Sequence, residues 1–217
     1  MLIHPWDEAD EEEWRGFLAE HDFGQLIAGG RDRDLPVVVP THFVFDGDRT
    51  VWLHLARPNP VWAPLAEHPR AVLTVVDDYV YAPARWQAPP GTPPEQGVPT
   101  SFYATVQLAC DVRVVDDPEE KAAVLNRQLA HFEPGSGRAP VPTEADRRLL
   151  SGLRALELTV TGVRAKFKYA GNKQAEHRRE IAAGLAARAG RSDDRARAHL
   201  LRRSERAADR PTRPAQR

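Results

Sequence analysis

The stretch VWLHLARPNPVWAPLAEHPRAVLTV, residues 51–75, decides the fold. It begins with strand-like alternation, breaks at Arg57-Pro58-Asn59-Pro60, turns helical over 61–67 and resumes as a strand at RAVLTVV. The break puts His54 and Arg57 three residues apart. Pro60 suits the first position of the short helix and Asn59 its cap. Free N–H groups beside a guanidinium form a place for a phosphate dianion. The competing reading is a surface arginine paired to an acid, with Glu67 the candidate.

Just before this stretch, LPVVVPTHFVF, DGDR and TVWLHLA (35–56) read as strand, turn, strand. A turn centred on Gly47 and Asp48 sets Thr41 opposite His54 and Phe43 opposite Trp52, with His42 on the other face. A slip of one residue swaps every face. Upstream, residues 7–21 predict an amphipathic helix with Trp14, Phe17, Leu18 and His21 on one side. FGQLIAGG is a strand. Downstream, YVYAP is a strand separated from RAVLTVV by Asp77-Asp78, and residues 84–97 form a long proline-rich loop. VPTSFYATVQLACDVRVV is one strand or two joined at a bulge. Asp117, Pro118 and Glu120 start a helix whose Leu125, Leu129 and Phe132 share a face. TEADRRLLSGL is a short helix capped by Thr143. ALELTVTGVRAKFKYAG alternates as a last strand, and a helix covers about 174–188. About seven strands with peripheral helices predict an α+β protein on an antiparallel barrel.

Composition narrows the function. The 217 residues carry a formal charge of −1, so no global field favours nucleic acid or an anionic membrane. No apolar run reaches the length of a membrane span, and the amino terminus lacks the pattern of a secretory signal. One cysteine, Cys110, excludes an intramolecular disulfide and fits a reducing compartment; a buried, inert thiol is expected. The cytoplasm is the expected location. Residues 188–217 hold ten arginines against four acids. They read as a solvated, partly helical or disordered tail, or as an arm for nucleic acid. The predicted division is 1–187 for the barrel domain and 188–217 for the tail. No glycine-rich phosphate loop, zinc spacing or nucleophile elbow is present.

Two further segments carry polar chemistry. KFKYAGNK, 166–173, follows apolar alternation with Lys166 and Lys168 on one face and Phe167 on the other. These are either guards of a strand edge or a cationic wall for a phosphate. GVPTSFYA, 97–104, offers hydroxyls from Thr100, Ser101 and Tyr103, and Trp86 in the proline loop is available to stack on a ring.

Taken in order, PTHF, HLARPNP followed by LAEHP, VPTSFYATV and KFKYAGNK resemble the PaiB family, FMN-binding split-barrel proteins labelled negative transcriptional regulators. The likeness runs over about 1–186. More distantly, the strand, basic turn and helix are similar to the phosphate-binding segment of pyridoxamine-phosphate oxidases. The resemblance implies a six-stranded antiparallel split barrel with peripheral helices, paired as a homodimer with FMN at the interface. It places Thr41, His42, His54, Arg57, Asn59, Thr100, Tyr103, Lys166, Lys168 and Asn172 at the cofactor. Ser101-Phe102 stand where the family commonly has Trp-Asn, and Tyr169-Ala170-Gly171-Asn172 where it has Leu-Ser-Gln-Asn. Related proteins of this fold, the piperazate synthases among them, hold haem, for which His42 and His54 are the available axial ligands. Three functions are implied: an FMN-binding regulator touching DNA through the basic tail, a flavin-dependent oxidoreductase, and a haem enzyme.

Overall fold

The computed structural model describes residues 1–31 and 33–209. Its strands are β1 (Phe23–Ala28), β2 (Val37–His42), β3 (Val44–Phe45), β4 (Thr50–Ala56), β5 (Arg70–Ala82), β6 (Thr100–Val115) and β7 (Leu153–Lys168). Its helices are α1 (Glu11–Glu20), α2 (Trp62–Glu67), α3 (Ala84–Gln87), α4 (Pro118–Phe132), α5 (Asp146–Ser151), α6 (Ala175–Arg188) and α7 (Asp193–Asp209). The seven strands among the described residues form one sheet in the order β2-β1-β5-β6-β7-β4-β3, the number read from the alternation and one more than the six the resemblance implies. The extra strand is the two-residue β3, which exists because the predicted first arm of the hairpin is cut at Phe43. β2 and β3, at opposite ends of that order, are separated in the chain by Phe43 alone.

That cut changes the register. Val44 pairs with Trp52 and Phe45 with Val51, one residue away from the predicted pairing. β2 pairs instead with β1, Phe23 opposite His42 through Ala28 opposite Val37. Phe43 itself is fully buried. Placing that ring in the core removes more apolar surface from water than keeping one ladder unbroken would gain. Gly24 shows how closely β1 and β5 approach: a Cβ there would stand 2.6 Å from the Thr74 carbonyl oxygen.

By contacts the chain divides into two units. One comprises 11–75 and 106–164; the other comprises 1–10, 76–105 and 165–217. In the first, β4 lies antiparallel to β7 from Thr50↔Thr159 to Ala56↔Leu153, and the alternation of Leu156, Leu158 and Val160 buries all three. Asp117 caps α4 as predicted, accepting from the Glu119 and Glu120 backbone N–H groups at 3.0 Å each. Such a cap is worth about 1 kcal/mol. α5 reverses the predicted cap: Asp146 accepts from both the Thr143 N–H and its hydroxyl at 2.8 Å. Cys110 is buried, and burial followed by nearby Asp111 pushes its thiol up to about 12, as an inert core residue requires.

In the second unit, residues 77 and 78 do not interrupt β5; Asp78 takes φ +54° inside a continuous strand. The predicted solvated tail is packed where it is described. α7 lies against α6 with Ala196 and Leu200 fully buried, and the His199 ring stacks on Tyr169 at 4.5 Å. The remainder of the tail, residues 210–217, lies outside the described residues. No helix among the described residues is long and apolar enough to cross a membrane.

Candidate functional site

The expected site residues fall into two groups, one in each unit. In the first unit the one-residue slip at Phe43 brings together two side chains predicted to point apart. The rings of His42 and His54 stand 5.3 Å apart, edge to face, and His42 packs on Phe132 at 5.1 Å. Thr41, predicted to face His54, is buried, with its hydroxyl donating to the His42 carbonyl at 2.9 Å. His54 Nδ1 donates to Gln128 Oε1 at 2.6 Å, which orients the ring. Burial, followed by the neighbouring His54, lowers the His42 pKa below 6.5, so His42 is neutral at pH 7. Both imidazoles border a cavity of about 600 Å³, with walls of Leu125, Leu129, Phe132 and Leu150.

Arg57 lies at the end of β4. Its guanidinium forks onto Asp116, at 2.6 and 3.2 Å, and its Nε donates to the Ser151 carbonyl at 2.8 Å. The pairing with an acid is real, but the acid is Asp116. Glu67 is taken by Arg33, whose Nε donates to it at 3.0 Å. Asp116 also receives Arg154 at 3.2 Å and Lys121 at 3.4 Å. One carboxylate therefore faces three cations. The Arg57 hydrogen bond, the largest cause, holds the Asp116 carboxyl down at about 2. Arg57 and Asp116 are each more than a third exposed, so the cluster is open to solvent. Its surplus positive charge and planar guanidinium donors fit a phosphate dianion. Asn59 does not cap the helix. α2 starts at Trp62 with Val61 as its cap residue, and Asn59 Oδ1 accepts from the Val61 N–H at 3.0 Å, a local side-chain turn.

The second group sits in the other unit. Lys168 Nζ donates to Thr100 Oγ1 at 2.7 Å, and no carboxylate among the described residues is within ion-pair range of it. Lys166 is buried, donates to the Leu2 carbonyl at 2.9 Å, lies 3.9 Å from Asp7 and stands 5.9 Å from the Tyr103 ring centre. Its partner Asp7 is buried too, and that burial raises its pKa against the opposing pull of Lys166. Asn172 is exposed. Trp86 is occupied by the chain itself: Arg188 lies 4.8 Å from its ring centre, and a Cβ on Gly184 would meet the indole at 2.7 Å.

Sequence reasoning missed Asp116, Lys121, Gln128 and Arg154. Two of them left a signal. Lys121, Val124, Leu125, Gln128, Leu129 and Phe132 follow the i, i+3, i+4, i+7 rhythm, so Lys121 and Gln128 interrupt an otherwise apolar stripe. Both are buried. Asp116 and Arg154 left none, because their partners lie far along the chain.

A family model described as "Putative FMN-binding domain" matches residues 1–162. No curated protein matches the sequence. Among solved structures, the flavocytochrome Anf3 from Azotobacter vinelandii superposes with a TM-score of 0.58 at 18% identity, over 73% of this chain and 67% of that one. An FAD and heme binding protein from Mycobacterium smegmatis gives 0.56 at 18% identity, over 73% and 71%. A conserved hypothetical protein from Mycobacterium tuberculosis gives 0.51 at 14% identity, over 77% and 90%. At such identities the structural likenesses speak for the fold alone. With three quarters of its length inside the family, the chain belongs to the FMN-binding domain family: it is an α+β FMN-binding split barrel, and FMN is the cofactor of its class.

Proposed function

We propose that the protein holds FMN as a resident cofactor in a PaiB-like homodimer, with the phosphate on the cation cluster around Asp116. The observation that carries this reading is the imbalance there: Arg57, Lys121 and Arg154 converge on one exposed carboxylate. An incoming dianion completes the neutralisation that Asp116 begins, and it docks on the guanidinium edges that Asp116 leaves in water. Lys121, buried and tied to the Leu150 carbonyl at 2.9 Å, fixes the cluster against α5. Arg154, 5.5 Å from the Trp62 ring centre, is held in place by that indole. When bound, the isoalloxazine supplies hydride and electron transfer. The residues of this chain bind and orient it.

The other expected group carries an alternative position for the phosphate. Among the described residues Lys168 has a hydroxyl, that of Thr100, and no carboxylate as its hydrogen-bond partner, so its ammonium is the less neutralised of the two candidate anchors. Tyr103, Lys166 and Asn172 would serve with it.

The decisive measurement is a titration of the full-length protein with FMN and with riboflavin, followed by quenching of flavin fluorescence. FMN is expected to bind at least about tenfold more tightly, as a charge-assisted phosphate contact requires. Equal affinity for the two flavins, or no saturable quenching, overturns the reading. Light scattering on the same sample is expected to show a dimer.

A haem role is the second reading. It is supported by the His42 and His54 imidazoles, 5.3 Å apart at the edge of an apolar cavity. The absorbance of the purified protein separates the two, yellow for flavin and red-brown for haem. Regulation of transcription in the cytoplasm, with DNA reached through the basic tail, follows the PaiB resemblance. Ala196 and Leu200 are buried, so the candidates for that contact are exposed arginines of the tail such as Arg191 and Arg197.

A further inference from the structure

We propose that the outer face of β5, beside the turn between α6 and α7, binds single-stranded nucleic acid: a base stacks on Tyr79 and Tyr81, and the phosphates lie on arginines of α7 and of the turn before it. The proposal rests on the nucleic-acid part of the reading above for the class of partner and is independent of the flavin.

β5 changes phase along its length. Ala71, Leu73 and Val75 are buried, and strict alternation would bury Tyr79 and Tyr81 after them. Instead Val76 and Asp77 both face solvent, Asp78 takes φ +54°, and Asp78, Val80 and Ala82 become the buried set. One residue out of phase turns the rest of a strand over, as a bulge does. Tyr79 and Tyr81 therefore stand 56% and 51% exposed, two residues apart on one face. A left-handed residue and a buried carboxylate, where two aromatic rings could have been buried, cost stability, and that cost points to a use for the rings in solvent.

The two rings border a hollow of about 510 Å³, shared with Asp77, Arg188, Arg191, Ser192 and Asp193. That volume admits a planar heterocycle. The charges inside it nearly cancel. Arg188 forks onto the buried Asp193 at 2.5 and 2.8 Å, which leaves Arg191 and Asp77 with opposite signs. A neutral base enters without electrostatic penalty, and the tyrosines offer it the flat surface on which any base stacks. The surplus positive charge lies around the hollow. Residues 188–203 hold six arginines against two aspartates. Arg191, Arg197 and Arg202 are exposed and make no ion pair among the described residues. A polyanion passing the hollow finds donors for its phosphates there. A duplex does not fit this arrangement, because its base faces are covered by the neighbouring pairs, whereas a single strand can splay a base outward. A second copy of the chain, packed on the same patch about a two-fold axis, would set like charges against each other.

The probe is a fluorescein-labelled oligodeoxynucleotide of about 12 bases, its anisotropy followed as the full-length protein is added. The single strand is expected to bind saturably and about tenfold more tightly than the same sequence as a duplex. Tyr79→Ala combined with Tyr81→Ala should weaken it about tenfold, and Tyr79→Phe combined with Tyr81→Phe, which keeps both rings, should not. Arg191→Ala should weaken it about threefold at low salt and reduce the slope of log affinity against log salt by roughly 0.7, the share of one phosphate on a single strand. Both tyrosines lie on the surface, so these variants should fold, and circular dichroism checks that they do. Equal binding by wild type and the double alanine variant overturns the proposal. A preference for the duplex also overturns it, and leaves the reading of a DNA contact through the arginines standing; binding of neither form overturns both. A double alanine variant that is a monomer where wild type is a dimer would make the patch a subunit contact, and overturns it as well. FMN at saturation should leave the strand bound; displacement by FMN would assign the hollow to the flavin, overturning the inference while leaving flavin binding intact.

Discussion

Two aspartates facing cations behave in opposite ways. Asp116 is exposed, takes a two-pronged hydrogen bond from Arg57 and is held at about 2. Asp7 is buried, stands 3.9 Å from Lys166 with no hydrogen bond between them, and its pKa is raised. Both would be described as an acid beside basic residues. The difference is that direct charge-assisted hydrogen bonds outweigh the desolvation of a half-wet carboxylate, whereas a cation at ion-pair distance does not make up for removing a carboxylate from water. The surrounding cations inherit the contrast. Those at Asp116 are organised around an exposed anion and can accept another, while Lys166 is committed inward to the Leu2 carbonyl.

The largest expected effect separates the two candidate phosphate anchors. Arg57→Ala should loosen FMN by roughly 10–100-fold with riboflavin affinity unchanged, the loss of a charge-assisted contact worth about 1.5–3 kcal/mol. Lys168→Ala should change FMN affinity by no more than about twofold. The reverse pattern moves the phosphate to Lys168. A smaller effect of opposite sign is expected from Asp116→Asn. Removing the resident anion leaves the three cations to the phosphate, and FMN should bind about fivefold more tightly in low salt, with the gain shrinking as salt is added. Weaker FMN binding by that variant would mean that Asp116 serves to orient Arg57 and does not compete with the ligand.

The smallest effects are on stability, and their signs differ. The depressed pKa of Asp116 means that its contribution is present above the ordinary carboxylate value of 3.8 and is lost as the pH falls towards 2. The raised pKa of Asp7 has the opposite consequence. The folded state binds the proton more tightly than the unfolded one, so stability declines as the pH rises through 3.8 to the folded value. At pH 7, Asp7→Asn should therefore raise the melting temperature by roughly 2 °C, and Asp116→Asn should lower it slightly. Thermal melts at pH 7 and pH 3 check both, and the Asp7→Asn gain should vanish at the acid end. If Asp7→Asn melts lower than wild type at pH 7, the ion pair with Lys166 outweighs burial after all.

The same division between local and distant partners explains what was legible beforehand. The cap of α4 was readable because Asp117, Pro118 and Glu120 lie within one turn of each other. The β7 core was readable because Leu156, Leu158 and Val160 repeat with the period of the pleat. The hairpin was only half readable. Its second strand formed as expected, but Phe43 broke the first, and with that slip His42 moved to the face of His54. The partner of Arg57 was misjudged because Glu67 is nearby in sequence, while Asp116, 59 residues away, is nearby in space.

By itself, then, the sequence determined where strands and helices begin and which residues share a face within each, because hydrophobic period and capping act over a few residues. It also carried the order of motifs that marks the family. Only the tertiary structure decided which face met which. Burial of Phe43 set the register, the packing of α4 on β4 tied Gln128 to His54, and strand pairing carried Arg154 to Asp116. Those outcomes depend on free energy shared among segments up to a hundred residues apart, and no local pattern contains it.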